Sequence, residues 1–296
     1  MDVTAFLSVT RRDAGYPPLL AELHDPPPLL FVRGQVDALG ATGVAVVGAR
    51  SCSAYGAQVA RSLARELAGA GVVVVSGLAR GVDGEAHRGA LEGGGRTVAV
   101  LGCGIDRDYP RSHGELARRI VASGAVVSEY AEGVEPAPWR FPARNRIIAG
   151  LALATVVVEA RERSGALITA DFALELGRDV FAVPGEITSG LSAGTNDLLR
   201  QGAAPLTSTR DVLDALGIET GPSPRSSSLS VSATLLLELL EDGARAADDL
   251  TRAAGISAGE VAAGLVELEL AGLAAQADGV YRAFSPGRSR VGHGRV

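Results

Sequence analysis

Glycines follow the ends of four short apolar runs between residues 43 and 170. Glycine allows tight turns and lets a ligand approach the backbone, and the free N–H groups of a following helix favour an anion. The sequence therefore predicts a phosphate-binding edge with backbone candidates Gly48, Gly77, Gly81, Gly102, Gly104 and Gly165, and with Ser164 beside the last of them. A domain of this kind also needs glycines at such turns for chain reversal alone, so that interpretation stays open for each loop.

Arginine supplies all the fixed positive charge of these loops, because the chain contains no lysine. Guanidinium groups bind phosphates bidentately, so arginines collected at one sheet edge would hold successive phosphates of a polyanion. The arginines expected at that edge are Arg50, Arg80, Arg107, Arg111, Arg140, Arg144, Arg146, Arg161 and Arg163.

The segment WRFPARNR (139–146) adds rings and an amide to these arginines. Trp139 and Phe141 are suited to a surface that stacks unpaired bases while arginines hold the backbone. Phe141 precedes Pro142 and could instead anchor a loop in the core. Asn145 could bond a phosphate or a base edge, or it could cap the next helix.

The four apolar runs indicate the elements that position these residues. Each is short and nearly uninterrupted in Val, Ala and Leu, which is typical of a strand buried on both faces of a parallel sheet. The segments 57–70 and 114–123 between them space apolar residues at helical intervals. The pattern predicts an α/β fold, a Rossmann-like doubly wound and mostly parallel sheet with ligands at the carboxyl ends of its strands.

Length, charge and composition narrow the function classes. The chain has 296 residues and a net charge of −6, which argues against a protein that coats nucleic acid on all faces but leaves room for a local basic pocket. We find no apolar stretch long enough for a membrane span and no signal-peptide pattern, so we expect a cytoplasmic protein. Cys52, Cys103 and the histidines lack metal-ligand spacing, so we expect reduced thiols and no metal site.

Several motifs occur in the order, and at about the spacing, seen in the DNA processing protein A family (DprA, also called Smf). They are VVGARSCSAYG, SGLARGVDGEAH, LGCGIDRDYP, SEY, FPARNRIIAGL, VVVEARERSGALITA, GRDVFAVPGEI and GTNDLLRQGA, and the resemblance covers roughly residues 16–217. The chain therefore resembles this family through its whole central part. By motif, Arg50 corresponds to the arginine of the first loop, Arg111 to the basic residue after YP, and Arg144, Asn145 and Arg146 to the RNR segment. Ala152 stands where the family often has serine.

The resemblance implies a function without catalysis and without a cofactor. A family member would bind single-stranded DNA, protect it from nucleases and load the recombinase RecA onto it during natural transformation. The resemblance also implies a homodimer that forms through the Rossmann-like domain.

Composition shifts indicate the domain organisation. We expect a proline-rich lead-in over 1–37, where the SAM-like domain of many relatives is missing or truncated, and the Rossmann-like DNA-binding domain over 38–217. A linker follows over 218–229, whose TGPSPRSSS stretch cannot bury enough apolar surface to fold. The chain then continues with a winged-helix domain over 230–285 and a basic tail over 286–296.

The winged-helix prediction depends on three helical segments, 231–241, 246–254 and 257–271, and on a hairpin over 273–284 that turns at Asp278 and Gly279. Its third helix contains Glu260, Glu267 and Glu269 and no basic residue. Neutralisation of phosphates dominates DNA affinity, so this helix favours a role in protein interaction or dimer modulation over a role in DNA binding.

Two other functions stay open. One is a nucleotide- or nucleoside-processing Rossmann-fold enzyme with Asp83, Glu129 or Glu159 as a carboxylate, although no pair is placed for acid–base work. GARSCSAYG lacks the glycine spacing of a dinucleotide-binding loop, and we expect Asp83 and His87 to hold the second loop in shape. The other is an adaptor whose acidic winged helix is the functional part.

Overall fold

The computed structural model of the protein describes residues 6–219, 229–243, 245–271, 273–277 and 279–283. The chain forms two compact units that divide between Ile218 and Glu219. Most of the expected linker (220–228), Asp278 of the expected hairpin turn and the whole basic tail lie outside the described residues. The finer domain limits given above stay a prediction.

Among the described residues, the first unit is built on a nine-stranded sheet in the order β1-β2-β6-β5-β4-β3-β7-β8-β9. All neighbouring pairs from β6 to β9 in that order are parallel, while β2 runs antiparallel to both β1 and β6. The strands are β1 (Leu7–Thr10), β2 (Leu29–Gly34), β3 (Gly43–Val47), β4 (Val73–Ser76), β5 (Thr97–Val100), β6 (Ala125–Ser128), β7 (Ala154–Val157), β8 (Asp179–Ala182) and β9 (Ala204–Pro205).

Helices cover both faces of this sheet. They are α1 (Pro18–Ala21), α2 (Ala54–Gly69), α3 (Val82–Glu92), α4 (Gly114–Ser123), α5 (Arg140–Gly150), α6 (Gly165–Glu175), α7 (Ala193–Arg200) and α8 (Thr209–Ala215), with short 3-10 turns at Val36–Gly40 and Arg111–His113. Residues of α1, α5, α6 and α7 share one apolar cluster, and residues of α2, α3 and α8 share another. A third cluster joins α4 to β5 and β6.

Strand β3 shows why the four apolar runs of the sequence are nearly uninterrupted. Ala45 and Val47 belong to the cluster that includes α5 and α6, whereas Val44 and Val46 belong to the cluster that includes α2 and α3. Successive side chains of a strand point to opposite faces, so a strand covered on both faces favours apolar residues at nearly every position. The predicted α/β fold with a mostly parallel sheet is confirmed.

Two features of the first unit differ from the sequence-based expectation. Residues 7–34 of the lead-in contribute β1 and β2, which extend the sheet with antiparallel strands. The segment WRFPARNR, where a loop anchored by Phe141 was one alternative, instead begins a helix, because its residues from Arg140 onward form the first two turns of α5. Pro142 is tolerated there because the N–H groups of the first turn have no partner within the helix.

The second unit contains α9 (Val231–Glu241), β10 (Arg245–Ala246), α10 (Ala247–Ala254), α11 (Ala258–Leu270), β11 (Ala274–Ala277) and β12 (Val280–Ala283). β12 pairs antiparallel with both β10 and β11. Leu236, Leu250, Leu265 and Leu268 lie in its apolar core. Three helices and a small antiparallel sheet are the predicted winged-helix arrangement, and the expected strand pair is confirmed.

Candidate nucleic-acid interface

A pocket of ≈ 190 Å³ lies at the carboxyl ends of β3 and β7. The strand order reverses there, because the chain proceeds from β3 outward through β4, β5 and β6 and then returns to β7 on the other side of β3. Open α/β sheets bind their ligands at such a switch point. The lining residues are Val47, Gly48, Arg50, Ala79, Asp83, Phe141, Pro142, Arg144, Asn145, Ile148, Ser164, Gly165, Ala166 and Thr169.

Arg50 is the exposed cation of this pocket. It follows β3, and its guanidinium carbon lies 5.0 Å from the centre of the Phe141 ring. Within the described part of the chain, no carboxylate forms an ion pair with it. Its charge and donors are therefore available to an anion.

The N-terminus of α6 faces the same pocket. Ser164 caps this helix by accepting a hydrogen bond from the Ala166 N–H at 3.3 Å. Gly165 is exposed, and a side chain there would meet open space. The partial positive charge of a helix N-terminus adds to the charge of Arg50. This edge of the pocket is therefore suited to bind a phosphate.

Arg144 also lines the pocket, but it is buried inside the domain with 4% of its surface exposed. Its guanidinium donates to the carbonyl oxygens of Gly77, at 2.9 Å, and Val100. Burial lowers the pKa of Arg144 to about 10, and the Asp83 carboxylate opposes that shift. With its donors bound to the loop after β4 and to the last residue of β5, Arg144 joins α5 to these two strand ends.

Asp83 holds the loop after β4. Its carboxylate accepts hydrogen bonds from the backbone N–H groups of Gly77, at 3.1 Å, and Ala79, at 3.3 Å. Burial raises the pKa of Asp83, while Arg144 and these N–H groups favour its ionised form. The expectation that Asp83 shapes this loop agrees with these contacts.

Asn145 links two helices at the pocket. Its side-chain amide donates to the Gly165 carbonyl oxygen at 2.9 Å, and its carbonyl oxygen accepts from Nε of Arg144 at 3.3 Å. Asn145 is 8% exposed. It does not cap a helix as one of our expectations had it, because it lies within α5 and Ser164 is the residue that caps α6.

Arg146 lies away from the pocket lining and is paired. Its guanidinium donates to both oxygens of Glu129, at 2.8 and 2.7 Å, and to the Asp25 carbonyl oxygen at 3.1 Å. The Glu129 carboxylate neutralises the charge that the sequence assigned to a DNA phosphate. A direct phosphate contact from Arg146 stays a prediction, and it would compete with this pair.

Glu159 fixes the loop that carries Arg50. Its carboxylate accepts hydrogen bonds from the N–H and hydroxyl of Ser53, at 2.9 and 2.5 Å, and its backbone carbonyl accepts from the Ala49 N–H at 2.7 Å. Ser53 in turn caps α2. These bonds join the end of β7 to the segment on both sides of Arg50, so Glu159 is a positioning residue of the site.

The predicted glycines divide into two groups. A side chain at Gly165 would meet open space, whereas a Cβ at any of the other five positions would lie within 3.0 Å of protein atoms. Gly81, with φ at +73°, would overlap the Ala49 carbonyl, and Gly77 would overlap Arg144. Close packing accounts for the side chains missing at Gly48, Gly77, Gly81, Gly102 and Gly104, and a phosphate contact from their backbone stays a prediction.

The remaining predicted arginines lie outside the pocket lining. Arg80, Arg111, Arg161 and Arg163 are exposed, and the described residues give none of them an acidic partner. Arg107 is bound to Glu135 at 3.0 Å, so its charge is neutralised. The sequence could not reveal this pair, because Glu135 is not adjacent to Arg107 in the chain.

Aromatic rings extend from the pocket along the same edge. Tyr109 stacks on Phe141 with ring centres 5.4 Å apart, and it is 43% exposed. Trp139 is 63% exposed, and the Arg140 guanidinium lies over both its ring and that of Tyr130. Tyr109 and Tyr130 were not among the predicted site residues, although they lie in the motifs LGCGIDRDYP and SEY.

The acidic third helix of the second unit, α11, uses two of its carboxylates to cap helices. Glu260 forms a capping box with Ser257, and Glu267 accepts hydrogen bonds from the N–H and hydroxyl of Ser230 at 2.8 and 2.6 Å. These acidic residues stabilise the winged helix itself.

Membrane spans and metal clusters are both absent from the part of the chain that the structure describes. None of its helices is long and apolar enough to cross a membrane, and no group of three or more potential ligands could hold a metal ion.

The fold defines a Rossmann-like α/β protein with a pocket at its switch point, followed in the chain by a winged helix. This chain belongs to the DNA recombination-mediator protein A family, whose model matches residues 8–217, and the DprA winged helix domain model matches residues 220–280. The family resemblance stated from the motifs is confirmed.

Individual relatives agree with this assignment. The chain is 48% identical over 212 residues to DNA processing protein DprA of Streptococcus pneumoniae, covering 70% of this chain and 73% of that protein. It is 42% identical over 277 residues to protein Smf of Escherichia coli, covering 90% and 74%.

Two solved structures share the fold. The X-ray structure of DprA from Streptococcus pneumoniae matches with a TM-score of 0.68 and 45% identity over 74% of this chain and 76% of that one. DNA processing protein A of Helicobacter pylori, solved to describe its single-stranded DNA binding mode, matches with a TM-score of 0.65 and 30% identity over 71% and 95%.

Proposed function

We propose that this protein binds single-stranded DNA at the switch-point pocket, protects the bound strand and loads RecA onto it during natural transformation. One observation carries the proposal: Arg50, which has no acidic partner among the described residues, shares a pocket with the exposed N-terminus of α6. A cation and a helix N-terminus on one concave surface are a phosphate site.

Unpaired DNA suits this edge better than a duplex. Trp139 and Tyr109 present exposed ring surface near the pocket, and bases can stack on such rings only when they are not paired. The single-stranded DNA binding mode described for the Helicobacter pylori relative supports the same choice. The net charge of −6 limits binding to this locally basic edge.

The loading of RecA is proposed from the family, which is described as a recombination mediator. Such a function needs no catalytic group. Asp83 is the one acidic side chain of the pocket lining, and its carboxylate already holds the backbone of the loop after β4. We further propose that two copies associate through the Rossmann-like domain and that the acidic winged helix contacts protein rather than DNA.

The test has two stages. Fluorescence anisotropy should show that the purified protein binds labelled oligo-dT more tightly than a matched duplex, and bound oligo-dT should resist an added nuclease. RecA ATP hydrolysis on single-stranded DNA coated with a single-strand-binding protein should then start sooner when this protein is present. Equal affinity for oligo-dT and for the duplex would refute the proposed binding of single strands. An unchanged lag before RecA ATP hydrolysis would refute RecA loading alone. Hydrolysis of nucleosides or nucleotides would favour the enzyme alternative.

A further inference from the structure

Phe141 is held by three neighbours. Arg50 lies over its ring, Tyr109 stacks on it with an interplanar angle of 29°, and Gly102 makes room for its edge. A Cβ on Gly102 would lie 2.9 Å from Cδ1 of Phe141. Phe141 therefore joins the cation of the pocket to a second ring, and it is only partly accessible itself.

Tyr109 is the outward member of this stack. It is 43% exposed, and the described residues show no ring stacked on it other than Phe141. The preceding residue, Asp108, binds the buried Arg33 of β2 at 2.5 Å. The loop that carries Tyr109 is therefore fastened to the sheet, which limits the entropy that a ligand would have to remove on binding.

We propose that Tyr109 provides a base-stacking position outside the pocket, next to the phosphate site of Arg50. The inference rests on the proposed function. It adds that the protein contacts an unpaired base as well as the phosphates of the DNA. Arg50 and the N-terminus of α6 bind phosphate, while Tyr109, supported by Phe141, binds the face of an unpaired base. The two contacts differ in chemistry, so they can be separated with two ligands.

The ligands are oligo-dT and an oligonucleotide of the same length whose residues are abasic tetrahydrofuran. Both carry the same phosphates, but only the first has bases. We expect Tyr109→Leu to weaken oligo-dT binding by about tenfold and to leave binding of the abasic strand unchanged. Tyr109→Phe keeps the ring and should bind oligo-dT like the wild type. Arg50→Ala should weaken binding of both strands.

A second measurement does not depend on any variant. Irradiation of the wild-type protein with an oligonucleotide that contains 5-iodouracil should cross-link the base to Tyr109, as located by mass spectrometry of the peptides. Equally weakened binding of both strands by Tyr109→Leu, or cross-links that avoid Tyr109, would overturn this inference while the proposed function stands. Failure of the wild type to bind either strand would overturn the proposed function as well.

Discussion

Arg146 and Glu129 form a two-pronged ion pair, in which two guanidinium nitrogens bind the two carboxylate oxygens at 2.8 and 2.7 Å. Each side chain is only 15% exposed. The pair joins α5 to the segment after β6, and the further bond to the Asp25 carbonyl oxygen adds the loop between α1 and β2. Arg146 thus connects three segments of the chain, and it does so outside the lining of the switch-point pocket.

We predict that Arg146→Ala lowers the free energy of unfolding by about 3 kcal/mol, because it leaves the largely buried Glu129 carboxylate without its ion-pair partner. Urea unfolding followed by circular dichroism measures this change. The double variant Arg146→Ala, Glu129→Ala should be destabilised by less than the sum of the two single variants.

Arg210→Ala is the matched control for that prediction. Arg210 forms an exposed pair with Asp214 one turn along α8, and removal of such a pair changes stability by less than about 0.5 kcal/mol. If Arg146→Ala were as stable as this control and yet failed to bind DNA, Arg146 would bind a phosphate directly and its structural role would be wrong.

The sequence predicts the fold well where strands are fully buried. The runs that become β3, β4, β5 and β7 are almost wholly apolar, with Ser76, Thr97 and Thr155 as their hydroxyl residues, so they are recognisable without any partner. β2 and β6 lie at the side of the sheet where the antiparallel edge begins; β2 follows three prolines, and β6 ends at the SEY motif. Whether these segments form strands depends on their pairing with strands that are distant in the chain. The pattern of a single sequence does not reveal that pairing.

The site was predictable in position but not in the roles of its arginines. The expected edge does contain Arg50 and Ser164, because their loops follow the adjacent strands β3 and β7, and α5 adds Arg144 to the same pocket. Decisive partners come from distant segments, as Gly77 does for Arg144 and Glu129 for Arg146. Which cations are available to a ligand therefore depends on tertiary contacts that the spacing of residues does not reveal.

Glycines of α2 offer a test of the Glu159 contact. A methyl group at Gly56 would overlap the Glu159 carboxylate, whereas one at Gly69 would meet nothing within 4 Å. We expect Gly56→Ala to lower stability by about 1–3 kcal/mol through overpacking. We expect Gly69→Ala to raise it by about 0.5–1 kcal/mol, because alanine is the better helix former.

Thermal or urea unfolding of both variants gives the comparison within one helix. Gly56→Ala should also bind oligo-dT more weakly, since displacement of Glu159 releases Ser53 and the loop of Arg50. Equal stability of the two variants would contradict the described packing of Glu159 against α2.

His87 gives a prediction of pH dependence. Its Nδ1 lies 2.7 Å from the Thr97 hydroxyl, which itself donates to the Val74 carbonyl oxygen, and its Nε2 has no partner among the described residues. Burial lowers the pKa of His87 from 6.5 to about 3. Between those values the unfolded chain binds a proton that the folded chain does not, so stability falls as the pH falls through this window.

The slope from this one group reaches at most about 1.4 kcal/mol per pH unit. We expect the stability of His87→Asn to fall less than that of the wild type between about pH 6 and about pH 4 in urea unfolding. His24→Asn, the same substitution at an exposed histidine, is the matched control. Identical slopes in all three proteins would show that His87 is not held neutral.

Arg50 is the residue on which the proposed binding of single-stranded DNA at the switch-point pocket depends most. Anisotropy of labelled oligo-dT across a salt series, with wild type, Arg50→Ala and the control Arg210→Ala, tests this role most directly. We expect Arg50→Ala to bind about tenfold more weakly and to reduce the slope of log affinity against log salt by about 0.7 for each phosphate that is no longer neutralised. The control should match the wild type. An Arg50→Ala protein with the affinity and salt slope of the control would contradict the assignment of Arg50 to a DNA phosphate.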